Sequence, residues 1–476
     1  MKTSNDYLTI FGVSEAQMRA LASEGMKGGG NWCDLFFEDT SYSDLLLRDG
    51  KVSSGGSHID YGCGIRVLNG EKTGYAYSES TDYPSLLAAA KAAATIASAG
   101  TARSGGVGSA VRTDAVPGSH YGMLRDWRQE ETSAFVPVLE KLDAMVRAKD
   151  TRTHKVIALL SWQVSDILMY NSLGETSFDS RPLGSISLTS IFVQDGKTEM
   201  TSCSRSFRSG VEMISGELLE ELASEAVRGV DERFDARRPK GGRMSVVMGA
   251  GASGILLHEA MGHAFEADFN RKGQSIFCDK MGKRVAAEGI NIIDDGTVPG
   301  NRGSCNYDDE GVPAQRTCMV EDGILRSFLH DRISANWYGV SPTGNGRRES
   351  FRYNPIPRMR CTYMESGRDG SVEDLIASVE KGVFVDQFSN GEVKIGEGDF
   401  TFYVKSGRLI EKGRLTMPVK DINIVGNGPR ALADIRAVAS DLTIDNGTWT
   451  CGKEQSVPVG CGIPSVLVEN LTVGGE

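Results

Sequence analysis

Short apolar runs between polar turn residues mark residues 34–78. "DLFFEDT", "DLLLRDG", "YGCGIRVLNG" and "KTGYAYSES" read as short strands separated by Gly, Asp or Asn turns. Asn69–Gly70 is a hairpin signal. Asp82-Tyr83-Pro84 then opens the run "PSLLAAAKAAATIASAG". Proline at the first helical position and Gly100 past the end predict a helix over 84–98. Residues 101–121, rich in Gly, Ser, Thr and Arg, read as a loop. "AFVPVLEKLDAMVRAK" predicts a helix over 134–149 with Pro137 in its first turn. The β pattern returns over 154–207 as an antiparallel meander, with Asp195–Gly196 as a second hairpin signal. Residues 215–234 predict a helix with Leu218, Leu219, Leu222 and Val227 along one side.

The polar stretch "DARRPKGGR", 235–243, is the main candidate boundary. After it come an apolar strand, "MSVVMGAG", and a helix, "SGILLHEAMGHAFEAD". The remainder, from about 290 to 474, is rich in short strands, with one helix near 372–381. The pattern therefore predicts an α+β chain of two domains. An N-terminal α+β region spans 1–235, with a candidate subdivision near 101–121. A mostly β C-terminal domain spans 243–476 and carries the "LLHEAMGHAFEAD" helix.

Bulk properties narrow the function classes. The length of 476 residues suits two or three domains with a substantial core. A net charge of −11 argues against nucleic acid as the main partner, because phosphate backbones require a basic surface. No run approaches the apolar length of a membrane-spanning helix. The N-terminal "MKTSNDYLTIFGVSEAQ" has one Lys and no apolar core, so it does not read as a signal peptide. Nine Cys are scattered without C-x-x-C pairs, and together these features predict a cytoplasmic protein with reduced thiols.

The chemistry concentrates in "LLHEAMGHAFEAD", which holds His258, Glu259 and His263. The familiar zinc-protease spacing is H-E-x-x-H; here one more residue separates the histidines. A regular α-helix turns about 100° per residue, so five residues leave the second imidazole about 140° from the first. Bonding of the i→i+5 kind unwinds the turn, and five residues then return to within about 50°. Gly262, with no Cβ, eases that distortion. A shared metal thus requires a bulged or broken helix near Met261–Gly262; without it, two structural histidines are the competing reading.

Other features carry paired readings. Arg347–Arg348 in "SPTGNGRRES" could hold a substrate carboxylate or backbone, or form structural ion pairs in a tight turn. "DDEG", 308–311, is a second cation site or, more simply, a solvated turn. His330 in "FLHDR" is an oxyanion donor or a satisfied histidine near a strand end. "GASG" lacks the G-K-[ST] ending of a phosphate-binding loop.

The chain resembles the TldD/PmbA family of metallopeptidases, once described as modulators of DNA gyrase, and within it the TldD branch. The resemblance is carried in order by "HEAMGHAFEADFNRKG" (258–273), "DDEGVPAQ" (308–315), "SPTGNGRRES" (341–350), "NPIPRM" (354–359) and "CGKEQSVPVGCGIPSVLVENLTVGG" (451–475). "GCGIRVLNGEKTGYAY" extends it more loosely into the N-terminal half. The resemblance implies a Zn²⁺ site held by His258, His263 and Cys451, with Glu259 as general base. Glu266 is a second candidate for the third ligand; Glu266 and Asp268 also suit the outer partners of the imidazole N–H groups. Cys461 is a weaker competitor for Cys451. Implied substrates are unfolded or extended peptides, held as an added strand. The implied assembly is a homodimer, or a heterodimer with a family partner lacking the histidine motif. The alternative is a non-catalytic binding or regulatory protein of the gyrase-modulator type.

Overall fold

The structure, a computed structural model, describes residues 2–98 and 119–475. Strands and helices mix throughout, so the chain is α+β. Most of the predicted 101–121 loop and Gly100 lie outside the described residues.

Two helices beyond those expected from the sequence open the chain, Ser4–Phe11 and Glu15–Met26. Both begin with capping boxes, Thr3 with Asp6 and Ser14 with Gln17. These reciprocal side-chain bonds satisfy otherwise orphaned backbone N–H groups. Six antiparallel strands follow: β1 (Trp32–Arg48), β2 (Lys51–Asn69), β3 (Lys72–Ser78), β4 (Thr153–Asn171), β5 (Thr176–Gln194) and β6 (Lys197–Phe207). They form one sheet in the order β3-β2-β1-β4-β5-β6. β1 and β2 are far longer than the short segments expected from sequence. The polar run Thr40–Ser43 does not end β1, because β2 and β4 pair with it from both sides and satisfy its backbone. The Asp195–Gly196 turn has both residues at positive φ, as a tight two-residue hairpin requires. Asp49–Gly50 does the same between β1 and β2.

Helices Tyr83–Ser98 and Val136–Lys149 match the periodicity, with Pro137 in the first turn of the latter. The helix expected over 215–234 is two, Gly216–Val227 and Val230–Asp235. Gly229, at φ 72°, breaks the spiral between them.

Beyond residue 241 the strands form two larger sheets. In one, Gly242–Met248, Val466–Val473, Asn423–Asn427, Asp399–Glu411 and Lys381–Lys394 pair in succession, and Lys381–Lys394 returns to pair in parallel with Gly242–Met248. The hydrogen-bonded order thus closes on itself. The second sheet centres on Ile292–Asp295, Cys361–Met364 and Gly460–Ile463. The largest apolar core lies in this half, and it includes Leu256, Leu257, Ala260, Met261 and Phe265 of the histidine segment. That segment is buried nearly all round, so its position is set by packing on several sides.

The "DDEG" run is not a solvated turn. Asp308, Asp309 and Glu310 are buried, and Glu310 and Asp309 pair with Arg66 and Arg181 of the N-terminal sheet. Phe36, Ile167 and Met169 of that sheet pack on Tyr307 and Phe351 beside them. No helix among the described residues is long and apolar enough to cross a membrane.

Candidate metal centre

The histidine segment changes pitch along its length. Ala252–Gly254 is a 3₁₀ turn, Ile255–Leu257 is α-helical, His258–Gly262 is a π-helical turn and His263–Phe265 is 3₁₀ again. The His263 N–H bonds the His258 carbonyl, the i→i+5 pattern that the spacing demanded. Gly262 lies where the turn presses on the core. A Cβ there would come 2.1 Å from Met359 Sδ. Gly428 approaches the same turn, since a Cβ on it would come 2.1 Å from the Ala260 carbonyl oxygen. The wide turn therefore fits a close-packed socket.

The π turn brings the two imidazoles together, with ring centroids 4.9 Å apart and planes at 84°. Cys451 comes from the two-stranded hairpin Thr450–Lys453 and Gln455–Pro458. The candidate donor atoms of His258, His263 and Cys451 all lie within 4.8 Å of one another, and all three residues are buried. Cys451 Sγ stands 3.5 Å from His263 Nε2. Zn–N and Zn–S bonds at a tetrahedral angle place N and S about 3.6 Å apart. The donor set, its softness and this spacing fit zinc.

Outer partners orient the set. His263 Nδ1 faces Glu266 Oε2 at 3.1 Å, which leaves Nε2 free to face the thiol. Glu266 also meets Lys453 Nζ at 3.1 Å, and Lys453 Nζ meets Asp268 Oδ1 at 2.7 Å. Glu266 thus serves His263 from outside the donor set, and Asp268 stands one step further out. Lys453 was not singled out from the sequence, although its place two residues after Cys451 puts it on the same strand face. Burial raises a carboxyl, but Lys453, His263 and Arg358 outweigh it and hold Glu266 at about 2. Burial would likewise raise the Cys451 thiol, yet the two imidazoles hold it at about 4. Burial works against charge on His263, and Glu266 and Cys451 reverse that and raise its pKa well above the usual value.

Glu259 projects into a cleft of about 540 Å³ that His258, His263 and Cys451 also line, with Phe269, Trp449 and the segment Gly391–Val393 around it. Burial raises its pKa above the ordinary carboxylate value, and the two histidines partly offset this. Cys461 also touches the cleft. Burial, with Asp445 nearby, keeps its thiol pKa well above the usual value.

The remaining candidates are engaged elsewhere. His330 packs against Phe328 and Tyr338, and burial lowers its pKa to about 4. Arg347 donates to the carbonyls of Met359 and Pro458. Arg348 donates to the Asp309 carbonyl and the Tyr75 hydroxyl and lies over the Phe36 ring. Both arginines act as internal struts between segments.

Comparison with known proteins agrees across the chain. Residues 241–475 match the family model of the PmbA/TldA metallopeptidase C-terminal domain, 33–97 that of domain 1 and 125–233 that of the central domain. A metalloprotease TldD homolog of Haemophilus influenzae is 39% identical over 452 residues, covering 94% of this chain and 93% of that one. A zinc metalloprotease TldD homolog of Saccharolobus solfataricus is 35% identical over 239 residues, covering 50% of this chain and 53% of that one. In fold, the chain is similar to a Bacteroides thetaiotaomicron protein described as a modulator of DNA gyrase, with a TM-score of 0.77 at 18% identity and full coverage of both. It is also similar to TldE of Thermococcus kodakarensis, with a TM-score of 0.74 at 21% identity, covering 96% of this chain and all of that one. With three family domains in order and a curated relative matched along nearly its whole length, this chain belongs to the PmbA/TldD family of metallopeptidases.

Proposed function

We propose that the chain is a zinc-dependent peptidase that hydrolyses unfolded or extended polypeptides. The observation that carries the reading is the convergence of His258, His263 and Cys451 beside Glu259 in one cleft. His258, His263 and Cys451 would hold the metal as a three-residue donor set, the number of protein ligands typical of catalytic rather than structural zinc. When bound, zinc supplies Lewis acidity and brings the pKa of a water molecule toward neutrality. Glu259 accepts the water proton on its carboxylate as the nucleophile adds to the peptide carbonyl. It then returns that proton to the departing amine nitrogen. The raised pKa of Glu259 suits both halves of this exchange. Glu266 holds the proton of His263 Nδ1, so the imidazole keeps Nε2 for ligation.

The cleft wall supports an extended substrate. Strand Lys381–Lys394 pairs along one edge with Asp399–Glu411, while its parallel partner Gly242–Met248 reaches only residues 382–385. Gly391, Glu392 and Val393 therefore present an edge without a ladder partner among the described residues, and they line the cleft. A Cβ on Gly391 would come 3.5 Å from Glu259 Cγ, so this edge runs beside the general base. A peptide added to it would be held through its backbone, with loose sequence preference. The reading includes assembly as a homodimer, or as a heterodimer with a family partner that lacks the histidine motif. The reading also includes a cytoplasmic location.

The test measures zinc content and cleavage of an unfolded peptide for wild type and Glu259→Ala. Zinc is expected to be retained and cleavage to fall by about 10²–10⁴-fold. Undiminished cleavage by the variant would overturn the proposal.

A further inference from the structure

The hairpin that delivers Cys451 is a two-stranded sheet of its own, joined to no other strand among the described residues. Such a hairpin is marginal without outside support. Its support comes from residues 346–358, which include the "GRRES" and "NPIPR" segments that the proposed chemistry leaves unused. Arg347 Nη2 donates to the Pro458 carbonyl at 2.7 Å. The Glu349 N–H donates to Gln455 Oε1 at 2.7 Å, and the Ser456 N–H donates to Glu349 Oε2 at 2.6 Å.

Arg358 does more. It is 0% exposed. Its Nη2 donates to the carbonyl of Cys451 itself at 2.6 Å, and its Nη1 to those of Gln455 at 2.8 Å and Lys453 at 3.4 Å. Its backbone is pinned on both sides, by Asn345 Nδ2 to the Arg358 carbonyl and by the Arg358 N–H to the Asn345 carbonyl. Its Nε stands 3.8 Å from Glu266 Oε1, and neither of those two buried atoms has a hydrogen-bond partner among the described residues. One rigid planar cation therefore touches the thiol-bearing strand and faces the carboxylate that orients His263.

We propose that Arg358 is the positioning residue of the metal centre, strapping the Cys451 hairpin to the histidine turn through Glu266 so that sulfur and imidazole present a preformed donor set. This rests on the zinc reading above, with Cys451 as a ligand. Lysine at this position keeps the charge but loses the fork that reaches three carbonyls, so Arg358→Lys is the informative change. Arg358→Met, which removes the charge altogether, is the companion.

The experiment uses the full chain, loaded with Zn²⁺ for affinity and Co²⁺ for spectra, in wild type, Arg358→Lys, Arg358→Met, Cys451→Ser and the Arg358→Lys/Cys451→Ser double variant. Affinity is read by competition with a chromophoric chelator. The thiolate-to-cobalt charge-transfer band reports sulfur ligation, and the visible ligand-field bands report the remaining ligands. Arg358→Lys is expected to weaken zinc binding by about 10–100-fold and to diminish the charge-transfer band more than the ligand-field bands. In the Cys451→Ser background the same change is expected to add less than about twofold, because its effect acts through the thiolate. A fold-wide role would instead add equally in both backgrounds, and that result overturns the inference while leaving the zinc reading in place. Wild-type affinity with an undiminished charge-transfer band in Arg358→Lys also overturns it. Cys451→Ser binding zinc as tightly as wild type removes both. Failure of Arg358→Met to fold does not affect the outcome, which Arg358→Lys and the double variant decide.

Discussion

Gly262→Ala should separate the geometry of the π turn from the chemistry of its ligands. The new methyl carbon would come 2.1 Å from Met359 Sδ and 3.0 Å from its Cε, whereas ordinary contact begins near 3.4 Å. Sulfur must therefore retreat by about 1.3 Å, or the turn must move by the same amount. Met359 is fully buried, and its carbonyl is held by Arg347, so neither path is free. Overpacking of this kind costs about 1–3 kcal/mol. His263 is the next residue, so the displacement falls on a proposed ligand rather than on a remote wall. If that whole cost opposes the assembled donor set, zinc affinity drops by about 5- to 150-fold. The assay is a zinc competition titration with a thermal melt of the metal-free protein, on Gly262→Ala, Met359→Ala and the double variant. The single glycine change should bind zinc more weakly and melt earlier. The double variant should recover part of both losses, because truncating Met359 removes the atoms that the new methyl strikes. A Gly262→Ala protein with wild-type affinity and melting temperature would refute the claim that close packing at this glycine holds the histidines together.

Cys451→Ser should lose most zinc from the purified full-length protein, while Cys461→Ser, whose thiol lies outside the three-residue cluster, should keep wild-type zinc stoichiometry; the reverse pattern by metal analysis would assign sulfur ligation to Cys461. Glu38 is buried, accepting from Thr40 Oγ1 and the Phe351 N–H, and burial pushes its pKa from 4.5 to about 7. The folded chain keeps a proton there that the unfolded chain releases, so stability falls between about pH 4.5 and pH 7, by up to about 3 kcal/mol, and stays level above. Glu38→Gln should then melt higher than wild type at pH 8 and nearly equal to it near pH 4.5, and a lower melting temperature at pH 8 would contradict this.

Much of the local structure was legible in the chain. Paired turn residues place hairpins at Asn69–Gly70 and Asp195–Gly196, and Pro84 and Pro137 mark helix starts, because these effects act within a few residues. The capping pairs Thr3 with Asp6 and Ser14 with Gln17 are equally local, three residues apart in the chain. Strand lengths were not legible. Thr40–Ser43 reads as a break until two neighbouring strands satisfy its backbone. The acidic run 308–310 reads as solvated until Arg66 and Arg181 meet it from the other half of the chain.

The candidate metal centre divides in the same way. His258, Glu259, His263 and Gly262 lie within six residues, and helical angles alone state what the backbone must do for the two imidazoles to converge. The i→i+5 bond from His263 to His258 is that solution. The thiol is another matter. Cys451 lies 188 residues beyond His263, and its approach to 3.5 Å depends on how two sheets, a lone hairpin and Arg358 pack together. Periodicity encodes the direction of a side chain relative to its neighbours along the chain. It carries no term for which distant strand will fill the space opposite. That is decided when apolar burial and the pairing of buried charges select one packing of the whole.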